Sequence, residues 1–355
     1  MNLEEILTLL GEDNREQALE KIQAIDEEMT FEEPLAAAKL LEELGMKAAH
    51  AGAREEASKC LRMAGKIYSD RYDEENNPLY LLKMYRQEID LQRISDTAGD
   101  MLKWRALENG IKVVKEQNPE MDAGTAAYGD ALLGEAYLLE GKICLAGRMQ
   151  EAALDEFMLA SELLKGAAQA MAEQESDDLL DAKEETRQMY VQLADCYSLI
   201  GDILYNSSSP YAEEALQSAL KAAEIAGEEY GCEKESILLS RGMAASRMAL
   251  CYMDQKRDQE AVEYIERAIA DRKQAIELFE DPSLYNELCL ACYTATSVYE
   301  KCRNEEKVKE YGALGLEMYD KAKEAGLLLP DDSIYFDLKR CAEGKKKGLF
   351  ARLFG

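Results

Sequence analysis

Residues 40–69 read LLEELGMKAAHAGAREEASKCLRMAGKIYS, and this stretch decides the fold. Leu44-Gly45, Ala48, Gly52, Arg54, Ala57, Leu61 and Ala64 stand at offsets that bring two helices side by side. Gly45, Ala48, Ala57 and Ala64 let the helix axes approach closely, while Leu44 and Leu61 fill the gap between them. Gly52 stands where the chain must turn, and glycine takes the left-handed conformation that ends a helix without a side-chain clash. The stretch predicts a pair of antiparallel helices.

Large-small, a further small or aromatic residue, a turn glycine, an alanine, a large residue and another alanine is a pattern that resembles the tetratricopeptide repeat. Looser copies follow. Leu133-Gly134, Tyr137 and Gly141 match a first helix, with its partner at 147–164; Leu193-Ala194, Tyr197 and Gly201 match another, with its partner at 210–227. Both first helices run past the expected turn glycine. Met248-Ala249, Tyr252, Ala261, Ile265 and Ala268 repeat the offsets with Lys256 at the turn, and Ala295-Thr296, Tyr299, Val308, Tyr311 and Gly315 do so with Arg303 there. Residues 78–94 and 98–117 form a degenerate pair around the single tryptophan, Trp104. The resemblance covers five pairs between residues 33 and 324. It implies an all-α, right-handed superhelix of antiparallel helix pairs, a tetratricopeptide-like α-solenoid.

Composition agrees with helices. The 355 residues are 47% hydrophobic, enough for a core, and rich in Ala, Leu, Glu, Lys and Gln, the helix formers. The six prolines (Pro34, Pro78, Pro119, Pro210, Pro282 and Pro330) fall where helices should begin, and none interrupts an apolar period. The expected organisation is lead helices over 1–32 and a repeat array over 33–330. An acidic segment at 173–185 suggests a hinge, a capping helix follows at 331–343, and a basic-aromatic tail occupies 344–355.

The formal charge of −29 repels phosphates over most of the surface, so a general nucleic-acid binder is not expected. Nine cysteines, an odd number lying inside helical periods, read as buried thiols of a reducing compartment. With no signal-like or spanning apolar run, a cytoplasmic location is expected.

Residues for chemistry are sparse. The only histidine, His50, falls near the end of a helix, which is more simply explained by interaction with backbone carbonyls than by catalysis. Cys289 and Cys292 form a Cys-x-x-Cys with Cys302 ten residues on, but no further ligand pair accompanies them and the helix is apolar, so core packing is expected. No phosphate-binding glycine motif is present. Neither cofactor nor catalytic set is predicted, and the chain is expected not to be an enzyme.

Resemblance to the repeat family implies that a ligand lies along the wall made by the first helices. Carrying those positions over names Lys39, Glu42, Met46 and His50; Tyr128, Glu135 and Leu138; Gln188, Asp195 and Ser198; Met253 and Asp254; and Tyr293, Ser297, Glu300 and Lys301. Acids take five of about 25 wall positions, the same share as 71 of 355 in the whole chain, so the wall is acidic only as the surface is. The implied function is a non-catalytic scaffold or adaptor gripping a peptide or helix of a protein partner, with some preference for basic segments. The alternative is a regulator that senses a peptide or small ligand in a tyrosine-lined pocket.

The chain ends AEGKKKGLFARLFG. Lys345, Lys346, Lys347 and Arg352 supply charge, while Leu349, Phe350, Leu353 and Phe354 recur at helical spacing as one apolar face. Three readings stand side by side: a weak toe-hold on an anionic membrane, a peptide that docks on its own or another subunit, and an unstructured tail.

Overall fold

A computed structural model describes residues 3–11, 14–27, 29–95, 99–177, 179–231, 235–279, 281–327, 329 and 331–345. Among them the chain is all-α. The helices are α1 (Leu3–Gly11), α2 (Arg15–Gln23), α3 (Pro34–His50), α4 (Arg54–Glu75), α5 (Pro78–Ile94), α6 (Met101–Gln117), α7 (Ala123–Ala146) and α8 (Gln150–Met171). There follow α9 (Ala182–Asn206), α10 (Ala212–Glu228), α11 (Glu235–Asp254), α12 (Asp258–Phe279), α13 (Leu284–Lys301), α14 (Glu305–Glu324) and α15 (Asp332–Ala342). They form two compact units, residues 1–186 and 187–355, which divide within the first turns of α9.

Capping explains several helix starts. Pro34 and Pro78 open α3 and α5, and the Asn77 side chain accepts from Leu79 N at 3.0 Å. Asp100 and Asp122 cap α6 and α7 in the same way. Pro119, Pro210 and Pro282 instead precede their helices by two to four residues, and Pro330 lies outside the described residues.

Consecutive helices pack through seams of small residues. A Cβ at Gly45 would fall 2.8 Å from Leu61 Cγ, so α3 and α4 touch at the place the sequence indicates. The same holds at Gly201 against Leu216 and at Gly315 against Leu338. In the first unit Ile22, Leu41, Leu44, Cys60 and Tyr68 are fully or almost fully buried in one core. In the second, Leu216, Met248, Ile265, Cys289, Cys292 and Leu338 are.

Five first helices end in one kind of turn, with the second residue after the helix in left-handed backbone: Gly52 (φ 75°), Arg148 (61°), Ser208 (57°), Lys256 (62°) and Arg303 (58°). At each, the next amide bonds back to the carbonyl five residues earlier, as Ala53 N does to Ala48 O at 2.9 Å. Lys256 and Arg303 thus occupy the turn as expected from the sequence. α7 and α9 run past the matched glycine, as the sequence suggests, so wall positions counted from that glycine fall two turns too early. Gly141 and Gly201 lie inside their helices, against Phe157 and Leu216, and the turns fall seven residues later at Arg148 and Ser208. Their partner helices run Gln150–Met171, three residues later at its start and seven at its end than the expected 147–164, and Ala212–Glu228, within two residues of the expected 210–227. Of the acidic segment 173–185, residues 182–185 are already the first turn of α9.

Candidate functional site on the first helices

The first helices differ in how far their wall positions are covered. In residues 1–186, α7 has fifteen buried residues, among them Tyr128, Glu135 and Leu138. Charged side chains of α5 reach over it. Arg86 and Arg93 both bind Glu135, and Asp90 lies 3.4 and 3.3 Å from the same two arginines. Lys83 lies 4.6 Å above the Tyr128 ring and 3.5 Å from Glu185. Gln87 donates to Glu42, whose carboxyl is raised above its ordinary pKa by burial, against the pull of Lys83.

This corrects the expectation for the first unit. Tyr128, Glu135 and Leu138 are not an open wall but interior residues, because α5 and its arginines cover them. Lys39 and His50 are exposed on α3, and Met46 is half-buried.

In residues 187–355 the first helices are α9, α11 and α13. Their wall positions are mostly half-exposed and joined by polar contacts. Arg247 pairs with Asp202, Tyr205 donates to Asp254 at 3.1 Å, Lys301 donates to the Met253 carbonyl at 2.7 Å, and Arg340 of α15 pairs with Glu300 at 2.6 Å. Gln188, Asp195, Tyr293 and Ser297 are half-buried beside them, and Asp254 and Lys301 are exposed. Ser198 is the exception: it is fully buried and donates to the Ser240 carbonyl at 3.0 Å.

Asp202, Tyr205, Arg247 and Arg340 belong to this row and were not named from the sequence. The seven-residue error in α9 hid Asp202 and Tyr205, since their wall offsets from Ser208 are those that Asp195 and Ser198 have from Gly201. A turn signal at Ser207-Ser208-Ser209-Pro210 was available to set the register.

Nearby, a cavity of about 480 Å³ lies between the α13–α14 turn and the end of α15, lined by Tyr299, Glu300, Arg303, Val308, Lys309, Cys341 and Lys345. Lys345 pairs with Glu343. The remaining tail positions named above (Lys346, Lys347, Leu349, Phe350, Arg352, Leu353 and Phe354) lie outside the described residues. Cys289 and Cys292 are fully buried, and no group of three or more His, Cys, Asp or Glu among the described residues is placed to hold a metal ion. No described helix is long and apolar enough to cross a membrane.

Antiparallel helix pairs with small-residue seams and left-handed turns define a tetratricopeptide-like helical-repeat fold. The chain is similar to Nro1, the hypoxic regulator of sterol synthesis described as a nuclear import adaptor, with TM-score 0.52 and 11% identity over 91% of this chain and 99% of that one. Weaker likenesses are to the apo quorum sensor NprR of B. thuringiensis (TM-score 0.30, 15% identity, 96% and 97% covered) and to yeast Tom70 (0.29, 13%, 95% and 77%). No protein-family profile and no curated protein matches the sequence.

Proposed function

We propose that this protein is a non-catalytic scaffold that holds a peptide or helix of a partner protein along the first helices of residues 187–355. The observation that carries this is the contrast between α7 and the first helices of residues 187–355. The wall positions of α7 are sealed, whereas those of α9, α11 and α13 present Asp195, Asp254, Ser297 and Lys301 at a half-exposed to exposed surface. Asp195, Asp254 and Glu300, in a chain of net charge −29, favour a basic segment as the bound partner. Likeness in fold to an import adaptor supports an adaptor role. The eight described cysteines are free thiols, and seven are buried, in keeping with a cytoplasmic protein.

The test is affinity capture with the purified full chain beside D195K/D254K and, as a control on a second helix, E277K. A stoichiometric protein partner retained by wild type and E277K but lost by D195K/D254K supports the reading. Retention by all three, or recovery only of a small molecule that is turned over, defeats it.

A further inference from the structure

We propose that residues 179–185 are a strap seated on the first-helix wall of residues 1–186, and that this wall takes an acidic, leucine-bearing segment of a partner protein when the strap is displaced. This wall is not the one of the reading above, and neither depends on the other.

Residues 179–185 belong to the acidic segment between α8 and α9 that the sequence suggests as a hinge, and run into the first turn of α9. Three side chains hold them against the first unit. Leu179 packs against the core shared by α1 to α5. Leu180 is 6% exposed, and its Cδ2 lies 3.5 Å from where a Cβ of Gly124 on α7 would stand. Glu185 lies 3.5 Å from Lys83 of α5, whose ammonium also sits over the Tyr128 ring. Gly124 and Tyr128 are one turn apart on one face of α7, so the strap crosses the face that carries the wall position Tyr128. Burial, and next the Glu185 carboxylate, raise the Tyr128 hydroxyl above its ordinary pKa, in keeping with that placement.

A plain connection needs only length, whereas this one carries a binding pattern. Leu179 and Leu180 are turned in, while Asp181 and Lys183 are exposed. The Asp177 carboxylate accepts from the Leu179 and Leu180 amides at 2.7 Å each, so the segment itself shapes the backbone that presents the two leucines. Its hold on the wall is a leucine pair and one acid, a set that a partner segment can reproduce. Charge selects the partner. Lys83 is 8% exposed, and lifting the strap strips this buried ammonium of the Glu185 carboxylate. A replacement must therefore bring an acid as well as apolar side chains, the opposite sign from the basic segment proposed for residues 187–355.

Fluorescence anisotropy with a labelled peptide of residues 174–188, QESDDLLDAKEETRQ, tests this on the full chain. In wild type the tethered strap competes at high effective concentration, so L179S/L180S, which loosens it, should bind the peptide about 10-fold more tightly. The peptide with both leucines changed to serine, or with Glu185→Lys, should lose that gain. Should L179S/L180S lose helical content, E185K takes its place, with a gain of about 5-fold expected because the leucines still compete. Equal affinity of wild type and the loosened chain overturns the proposal. Undiminished binding of the leucine-free peptide is charge attraction alone and overturns it too. Adding D195K/D254K to the loosened chain should change nothing; a loss there assigns the peptide to residues 187–355 and also overturns the proposal. As a second readout, hydrogen exchange over residues 123–130 should quicken in the loosened chain and slow again with peptide. Exchange unmoved by either counts against the strap.

Discussion

Arg86 of α5 binds the buried carboxylate of Glu135 on α7, across 49 residues of sequence. Arg93 binds the same carboxylate, so one acid holds two guanidinium groups against the most covered helix of the first unit. Removing one partner of such a set leaves charge stranded in a low-dielectric interior, which costs more than the intact pair contributes. Glu135→Ala should therefore destabilise the first unit by about 3 kcal/mol, Asp90 retaining part of the arginine charge. The urea midpoint of the full chain checks it, with Glu135→Gln falling between. A loss below about 0.5 kcal/mol, the level of an ordinary surface change, would show that the network is not holding α5 to α7.

Gly141 offers a sharper test of the corrected register. A Cβ there would lie 2.5 Å from Phe157 Cε1, inside the contact distance, although alanine is the better helix former by about 1 kcal/mol. Overpacking a seam costs about 1–3 kcal/mol, so Gly141→Ala should lower the melting temperature. Gly166 on α8 faces open space, and Gly166→Ala should raise it. Were both substitutions stabilising, α7 and α8 would not meet at Gly141.

The seams explain how much of this fold was legible. Gly45 against Leu61 is a local pattern, sixteen residues apart, and the turns at Lys256 and Arg303 could be placed from neighbouring copies even without glycine. α7 and α9 misled because seven residues make almost two whole turns. A pattern moved by that much drifts only about 20° and presents the same face. The α5–α6 pair was legible as a degenerate pair, but its seam was not, because it is inverted: the small residue, Gly110, is on the second helix and the large one, Tyr85, on the first. Burial of Glu135 depends on arginines 42 and 49 residues earlier, a distance over which periodicity says nothing.

Thiol reactivity follows burial. Loss of solvation pushes Cys60 and Cys292 up to about 12, and Cys289 and Cys251 up to about 11, so little thiolate forms at pH 8. Cys302 is half-buried. Among the described cysteines, iodoacetamide at pH 8 should alkylate Cys302 first, with Cys60, Cys289 and Cys292 labelled only after denaturation. Peptide mass mapping decides. Rapid labelling of Cys289 or Cys292 in the folded protein would contradict their place in the core and reopen a chemical role for the Cys-x-x-Cys.

Glu140 makes the first unit sensitive to pH. Desolvation, and then the neighbouring Glu108 and Glu156 carboxylates, raise it from 4.5 to about 7, while Arg105 Nε, 3.8 Å away on an exposed side chain, offsets only part. In this window the folded chain holds a proton that the unfolded chain has released, so stability from this group is full below about pH 4.5 and is lost as pH rises toward 7. A pKa change of one is worth about 1.4 kcal/mol, and solvent screening around Arg105 leaves on the order of 1–2 kcal/mol for the whole shift. Glu140→Gln keeps the shape and removes the titration. It should leave the melting temperature nearly unchanged at pH 4.5 and raise it by about 2–6 °C at pH 8. Calorimetric scans of wild type and variant at the two pH values provide the comparison. An equal difference at both would mean that Glu140 is already ionised at pH 4.5, with Arg105 outweighing its acidic neighbours.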